Sequence, residues 1–156
     1  MQRLPLLLLL IVPNLSFAQP DAKKEVLAVI DRFFATMAQR DSAGMAAVMM
    51  PDGVLYGVFE GNLAQAPRAT THANFLHQLK SGTDKILERY WDPQVRVDGP
   101  IATVTAPYDF HVNGKLSHCG IDVFDLLKDG DAWKISGGEF TMRREECPAS
   151  PLGPVK

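Results

Sequence analysis

The sequence predicts an α+β protein in which helices pack on one face of a curved antiparallel sheet. In the first part of the chain, apolar residues recur every three or four positions, which is typical of helices. Later segments alternate between apolar and polar residues, as strands do, and the pairs Asn113-Gly114 and Asp129-Gly130 separate them with strong hairpin-turn signals. The predicted order is three helices with one early strand, followed by four strands in a meander.

Residues 1–18 have the pattern of a cleavable export signal. Arg3 supplies a short positive region, and Leu4–Val12 supplies an apolar segment that is too short to span a membrane. Ser16-Phe17-Ala18 then fits a cleavage site. We expect a secreted or periplasmic protein that is cleaved near Ala18.

The composition is that of an ordinary soluble domain. The 156 residues are 46% hydrophobic and carry a net charge of -2, so no basic excess is present to attract nucleic acid. We expect one domain over 19–147 and a loose tail over 148–156. We also expect no cofactor, and no membrane association once the signal is removed.

The two cysteines, Cys119 and Cys147, allow two interpretations. In an exported protein a disulfide is favoured, and it would close a loop of about 28 residues. The alternative is a catalytic thiol, which is less favoured because exported proteins rarely keep a free reactive cysteine.

The first predicted helix covers residues 21–39. Its apolar face consists of Val26, Leu27, Ile30, Phe33, Phe34 and Met37. A short second helix begins at Asp41-Ser42 and ends at a turn over Pro51-Asp52-Gly53. A third helix is predicted over Ala73–Lys80 after a cap at Thr70-Thr71, with His72 and His77 at the surface.

The first predicted strand is Val54–Phe59, and the second is Lys85–Val97, interrupted by Pro93. Ile101–Val112 forms the next strand, and its two hairpin partners complete the meander.

Three stretches of the chain resemble a known superfamily: VLAVIDRFFATMAQRD (26–41), VDGPIATVTAPYDF (97–110) and SHCGIDVFDLLKDGDAWKISGGEFTMRREEC (117–147). They resemble the nuclear transport factor 2-like superfamily, which includes SnoaL-like polyketide cyclases and ketosteroid isomerases. The resemblance implies a cone-shaped, cystatin-like roll that encloses an apolar pocket, and often a homodimer through the outer sheet face. It implies no particular catalytic residue, because one fold hosts many functions.

The turns predict which side chains share a face of the sheet. A two-residue turn at Asn113-Gly114 places Asp109 opposite His118, and it places both on one face with His111 and Asp122. The next turn places Asp122 opposite Glu139 and His118 opposite Arg143. The other face then carries Val104, Ala106, Tyr108, Phe110, Cys119, Ile121 and Val123.

This polar face allows two interpretations. The more apolar face normally packs on the core, which favours the polar face as the outer one. If it instead lines the cone, His118 with Asp109 and Asp122 would form a catalytic acid-base group. Asp109, His111 and His118 also allow a metal site in principle, but the signal is too common by chance and we expect none.

Further pocket candidates are aromatic or cationic: Tyr56, Trp91, Tyr108, Phe124 and Arg143. Three functions remain open. The leading hypothesis is an exported protein that binds a small apolar or amphipathic molecule. The alternatives are a cyclase, isomerase or dehydratase that uses the His-Asp pair, and a dimeric interaction module without catalysis.

Overall fold

The computed structural model describes residues 19–61 and 64–155, so the predicted export signal over 1–18 lies outside the described residues. The elements in chain order are α1 (Gln19–Gln39), α2 (Ser42–Ala47), β1 (Met49–Phe59), β2 (Arg68–Thr71), α3 (His72–Ser81), β3 (Ile86–Tyr90), β4 (Gln94–Asp98), β5 (Ile101–Val112), β6 (Lys115–Asp129) and β7 (Ala132–Met142). No helix in these ranges is long and apolar enough to cross a membrane.

The seven strands form one sheet in the order β2-β1-β7-β6-β5-β3, and β4 also pairs with β5. The sheet is mostly antiparallel, as predicted, but β1 runs parallel to β7. The helices pack against the sheet as expected. Only α1 and α2 precede it, because α3 follows β1 and β2 in the chain.

The core lies between α1 and the inner face of the sheet. The predicted face of α1 is buried there, with Leu27 packed at its margin. Val104, Phe124, Leu126 and Ile135 meet it from the sheet. Each apolar side chain removed from water at this contact contributes about 1.5–3 kcal/mol, so the α1–sheet contact is a major source of stability.

Both short helices begin at the predicted caps. The Asp41 carboxylate accepts a hydrogen bond from the Gly44 N–H at 2.9 Å, and the Thr71 hydroxyl accepts one from the Asn74 N–H at 3.2 Å. Each bond satisfies a backbone donor that has no partner within its helix.

Two predictions about the early strands are wrong. Pro51-Asp52-Gly53 is not a turn that ends a helix: it lies within β1, where the pairing with β7 is irregular between Met49 and Val54. The predicted strand Lys85–Val97 is two strands, because Asp92 has a positive φ of 46° and Pro93 cannot donate a ladder hydrogen bond. The strand β2 was not predicted.

Both predicted hairpins are present. Asn113 and Gly114 have φ angles of 52° and 78°, which a two-residue turn of this hand requires. Lys115 pairs with Val112, and Trp133 pairs with Lys128, as predicted.

One extra residue in each partner strand overturns the registers beyond these turns. His111 pairs with Leu116 but Phe110 pairs with His118, so Ser117 is a bulge in β6. A bulge at Ser136 in β7 shifts the second hairpin in the same way. The predicted pairs of Asp109 with His118, Asp122 with Glu139 and His118 with Arg143 are therefore wrong. The observed partners are Cys119 for Asp109, Phe140 for Asp122 and Cys119 for Arg143.

The predicted disulfide joins Cys119 and Cys147, whose Cα atoms are 5.8 Å apart. It closes a loop of 28 residues that contains β7. The tail beyond it is held at Gly153, whose carbonyl oxygen accepts a hydrogen bond from the Arg89 guanidinium at 2.9 Å.

Candidate functional site

A cavity of about 310 Å³ lies between the inner face of the sheet and helices α1 and α3. Its apolar lining consists of Phe33, Met37, Phe75, Leu79, Ile86, Phe110, Phe124, Phe140 and Met142. Arg40, Arg68 and Gln78 line its more accessible part, and Glu88, His118 and Asp122 add ionisable groups within it. Mostly apolar walls with a few polar groups are typical of a small-molecule site.

The bulge at Ser117 decides which side chains of β6 reach this cavity. Beyond it, His118, Asp122 and Phe124 share the inner face with Tyr108 and Phe110. The assignment of His118 and Asp122 to a face opposite Tyr108 is therefore wrong, and the polar side chains are not confined to the outer face.

Asp122 and Glu88 form a carboxyl pair in the cavity. Glu88 comes from β3 and is in hydrogen-bonding contact with Asp122. Such a contact between two carboxyl groups needs a shared proton, because each oxygen is otherwise only an acceptor. Asp122 is 5% exposed, and among the described residues no nitrogen or hydroxyl group donates to its Oδ2.

Both carboxyl groups favour the protonated form. Burial raises the pKa of Asp122 to about 8. Burial, followed by the nearby negative charge of Asp122, raises the pKa of Glu88 well above its usual range. The pair therefore holds a proton near neutral pH, since two adjacent carboxylates in an apolar site repel each other and lose their hydration.

His118 is held in the cavity as a neutral ring. It stacks on Phe110 with ring centroids 4.8 Å apart, and its Nδ1 lies 3.1 Å from the Ser117 hydroxyl. Burial, followed by the positive charge of Arg144, lowers the pKa of His118 to about 4. At neutral pH the ring is therefore a potential proton acceptor in the same cavity as a protonated carboxyl pair.

Tyr108 helps to build the cavity rather than to present a free hydroxyl group. Its hydroxyl donates to the Thr141 carbonyl oxygen at 2.7 Å, and burial raises its pKa. Gly120 lies next to this bond, where a side chain would collide with the Thr141 carbonyl. The glycine therefore allows β7 to approach β6 closely at this point.

Asp109 and His111 lie on the outer face, away from His118. The Asp109 carboxylate accepts two hydrogen bonds from Arg89, at 2.9 and 2.5 Å, and its Oδ1 lies 3.5 Å from Nδ1 of His111. Asp109 therefore does not orient His118. Over residues 19–61 and 64–155 no three His, Cys, Asp or Glu side chains are arranged to hold a metal ion.

The other predicted pocket residues divide into two groups. Tyr108 and Phe124 line the cavity, whereas Tyr56, Trp91 and Arg143 do not. Tyr56 is 42% exposed on the opposite side of β1, and Arg143 pairs with Glu60 at 3.2 Å.

Sequence reasoning missed Glu88. A signal was present, because Ile86, Glu88 and Tyr90 are two positions apart and therefore share one face of a strand, the face that packs on the core. The prediction that His72 lies at the surface is also wrong: it is fully buried, and its Nδ1 lies 2.5 Å from the Met50 carbonyl oxygen. Gly53 makes room for this ring, since a side chain at position 53 would overlap it.

A family model described as "Putative lumazine-binding" matches residues 21–140. The chain belongs to this family. The match includes both carboxyl groups of the pair, His118 and every other residue that lines the cavity except Met142. No curated protein matches the sequence closely enough to count as a relative.

Solved structures resemble this member of the family in fold. An "NTF2-like protein" from Cytophaga hutchinsonii is 12% identical, with 81% of this chain and 99% of that chain covered and a TM-score of 0.66. A "putative dehydratase from the NTF2-like family" from Streptomyces avermitilis is 19% identical, with 80% and 98% covered and a TM-score of 0.63. The predicted resemblance to the nuclear transport factor 2-like superfamily is confirmed.

A third similar structure is a "putative calcium/calmodulin dependent protein kinase II association domain" from Xanthomonas campestris. It is 24% identical, with 78% of this chain and 88% of that chain covered and a TM-score of 0.61. At these identities the likenesses establish the fold and leave the activity open.

We predict that the free energy of unfolding falls between pH 6.5 and 8. The raised pKa of Asp122 gives stability that is complete below the unfolded value of 3.8 and is lost as the pH rises through about 8. His118 acts in the opposite direction, but only between about 4 and 6.5. The loss from Asp122 alone should approach ~1.4 kcal/mol per pH unit, and the raised pKa of Glu88 adds to it in the same direction. Urea denaturation at half-unit steps measures the total loss.

The isosteric change Asp122→Asn should flatten this dependence, because it removes one of the two titrating carboxyl groups. A wild-type curve that is level or rises over this range would contradict the assignment of a protonated pair.

We also predict that Arg89→Met destabilises the protein by about 3 kcal/mol, because it leaves the Asp109 carboxylate buried without its cation. The double change Arg89→Met with Asp109→Leu should recover most of the loss, since two apolar side chains replace the ion pair. Chemical denaturation of the four proteins in the cycle measures the coupling. Additive losses would show that the pair is not coupled.

Proposed function

We propose that the protein binds a compact, mostly apolar small molecule in the cavity, with one polar group of that molecule against the Glu88–Asp122 pair. The observation that carries this proposal is an apolar cavity in which Oδ2 of Asp122 is deeply buried and accepts no hydrogen bond from a nitrogen or hydroxyl group of the described residues. A buried polar atom without a partner is costly, so a ligand that supplies the missing hydrogen bond gains affinity and orientation.

The volume suggests the size of the ligand. A cavity of about 150 Å³ in another protein holds one benzene ring, so about 310 Å³ fits a body of roughly two rings. The family description names lumazine, which is a two-ring heterocycle and therefore agrees with this size. The aromatic walls favour a flat molecule, because rings stack in offset or edge-to-face arrangements.

We propose that the ligand is bound outside the cytoplasm. The sequence pattern over 1–18 and the disulfide between Cys119 and Cys147 support export, since disulfides persist in oxidising compartments. The partner in solution would be a second copy of the chain across the outer sheet face, where Tyr56 and Ile121 are 42% and 38% exposed. A dimeric module without a ligand would use this same surface.

A second candidate function is acid-base catalysis of the cyclase, isomerase or dehydratase type. The observation that favours it is that His118 and Asp122 line one cavity in complementary protonation states. His118 would accept a proton from carbon while the carboxyl pair donates one to an oxygen. The dehydratase name of the Streptomyces avermitilis structure agrees with this chemistry.

For the binding function, we predict that naphthalen-1-ylmethanol or lumazine binds saturably with a dissociation constant below about 1 mM, measured by isothermal titration calorimetry. Gln78→Trp should weaken binding at least tenfold, because Gln78 is an exposed residue that lines the cavity. His77→Trp is the matched control, since His77 is the exposed neighbour on the same helix and does not line the cavity. Absence of saturable binding to the wild type would overturn the proposal.

For the catalytic function, we predict faster exchange of the α-protons of 2-tetralone in deuterated buffer, followed by proton NMR. His118→Phe keeps an aromatic ring on Phe110 but removes the base, so it should reduce the exchange rate at least a hundredfold. If the α-protons exchange no faster with the wild-type protein than in buffer alone, the catalytic function is contradicted and the binding proposal is unaffected.

A further inference from the structure

We propose that the ligand of this cavity carries a protonated amine, and that its ammonium group sits between the carboxyl groups of Glu88 and Asp122. The inference rests on the proposed binding function and specifies the chemical class of the ligand. The geometry behind it is that two carboxyl groups line one mostly apolar cavity and that, among the described residues, neither forms a salt bridge.

The cations near the pair are engaged elsewhere or stand apart from it. Arg89 neighbours Glu88 in sequence, but it binds Asp109 and Gly153 on the outer face. Arg40 donates to the carbonyl oxygens of Asp84 and Leu79 at 2.8 and 3.0 Å. Over the described residues, neither carboxyl of the pair forms a salt bridge.

The remaining charged or titratable groups around the pair do not replace a cation. They are His118 and Tyr108 in the cavity wall, Asp109 behind the sheet, Glu60 beyond Tyr108, and Arg68 at the accessible part of the cavity. His118 is neutral at pH 7, and the Tyr108 hydroxyl already donates to Thr141. Of the two acidic groups, Asp109 adds to the negative potential at Glu88.

An ammonium group matches this environment better than the other polar groups. It has three donors, enough for both carboxyl groups, including Oδ2 of Asp122, and its charge allows one of the two groups to ionise. A neutral acceptor such as a ketone accepts a hydrogen bond from one protonated carboxyl group and leaves the second carboxyl group as it was. A carboxylate would bring a third negative group into the same apolar space.

The walls also suit a cation with an aromatic body. Phe33, Phe110, Phe124 and Phe140 line the cavity, and ring faces attract cations within about 6 Å. The ligand class is therefore a flat aromatic amine of about two rings, with the amine on a short arm.

Binding of the ammonium form releases a proton to the solvent. Both carboxyl groups favour the protonated form when the cavity is empty, and one proton leaves as the ammonium arrives, so affinity for the amine rises with pH. The rise is up to tenfold per pH unit, and it continues until the pair is ionised before binding. A neutral ligand of the same shape binds without this gain.

The test compares three ligands that share one body: naphthalen-1-ylmethylamine, naphthalen-1-ylmethanol and naphthalene-1-carboxylic acid. Calorimetry with the wild-type protein at pH 6, 7 and 8, in two buffers of different ionisation enthalpy, gives the affinity and the number of protons released. We expect the amine to bind tightest at pH 8, and its affinity should rise severalfold per pH unit. Its binding should release close to one proton. The alcohol should show no gain, and the acid should bind weakest.

Asp122→Asn should lower the affinity for the amine at least tenfold while changing the affinity for the alcohol less than threefold. It should also reduce the number of protons released on binding of the amine. Glu88→Gln provides a second, independent change to the pair. Asp131→Asn is the control for loss of one acidic group, because Asp131 is exposed in the β6–β7 hairpin. It should leave the binding of all three ligands unchanged.

The outcomes separate the inference from the function on which it rests. If none of the three ligands binds saturably, the proposed function fails and the inference fails with it. If the alcohol or the acid binds as tightly as the amine, or if the amine releases no proton, the amine inference is overturned and the binding function stands.

Discussion

The extra residue Ser117 in β6 is the local feature on which the site depends. Side chains alternate between the two faces of a strand, so one inserted residue moves every later side chain to the opposite face. It brings His118 and Asp122 inward, beside Tyr108 and Phe110, and it turns Cys119 outward. The cavity chemistry and the position of the disulfide thus have the same origin. The second bulge at Ser136 separately brings Phe140, and not Glu139, opposite Asp122.

The buried acidic groups on the two faces of the sheet have different partners. On the outer face Asp109 has an arginine that binds both of its oxygens, and the same arginine holds the tail at Gly153. On the inner face the Glu88–Asp122 pair forms no salt bridge with any described residue, and its raised pKa values keep it protonated instead. Burying ionisable groups without a counter-charge reduces stability, so the inner pair is a site that the fold alone does not require.

The cavity exists because the sheet is curved and the helices cover only part of its inner face. The buried residues of α1 fill the space over Phe124, Leu126 and Ile135, whereas the space over Glu88 and Asp122 remains open as the cavity. Membership of the lumazine-binding-like family and of the nuclear transport factor 2-like superfamily accounts for this architecture. Glu88, His118 and Asp122 supply the ionisable groups within this architecture.

Local sequence was enough to determine the helical face of α1, the caps at Asp41 and Thr71, both hairpin turns and the pairing of the two cysteines. Each of these depends on neighbouring residues, or on there being only two cysteines to join. The face on which Asp122 and His118 lie was decided only in the tertiary structure. A bulge has no strong sequence signal, and it reverses every assignment made by alternation from the turn. The meeting of Glu88 with Asp122 also needed the tertiary structure, because it depends on β3 and β6 flanking β5 in a curved sheet.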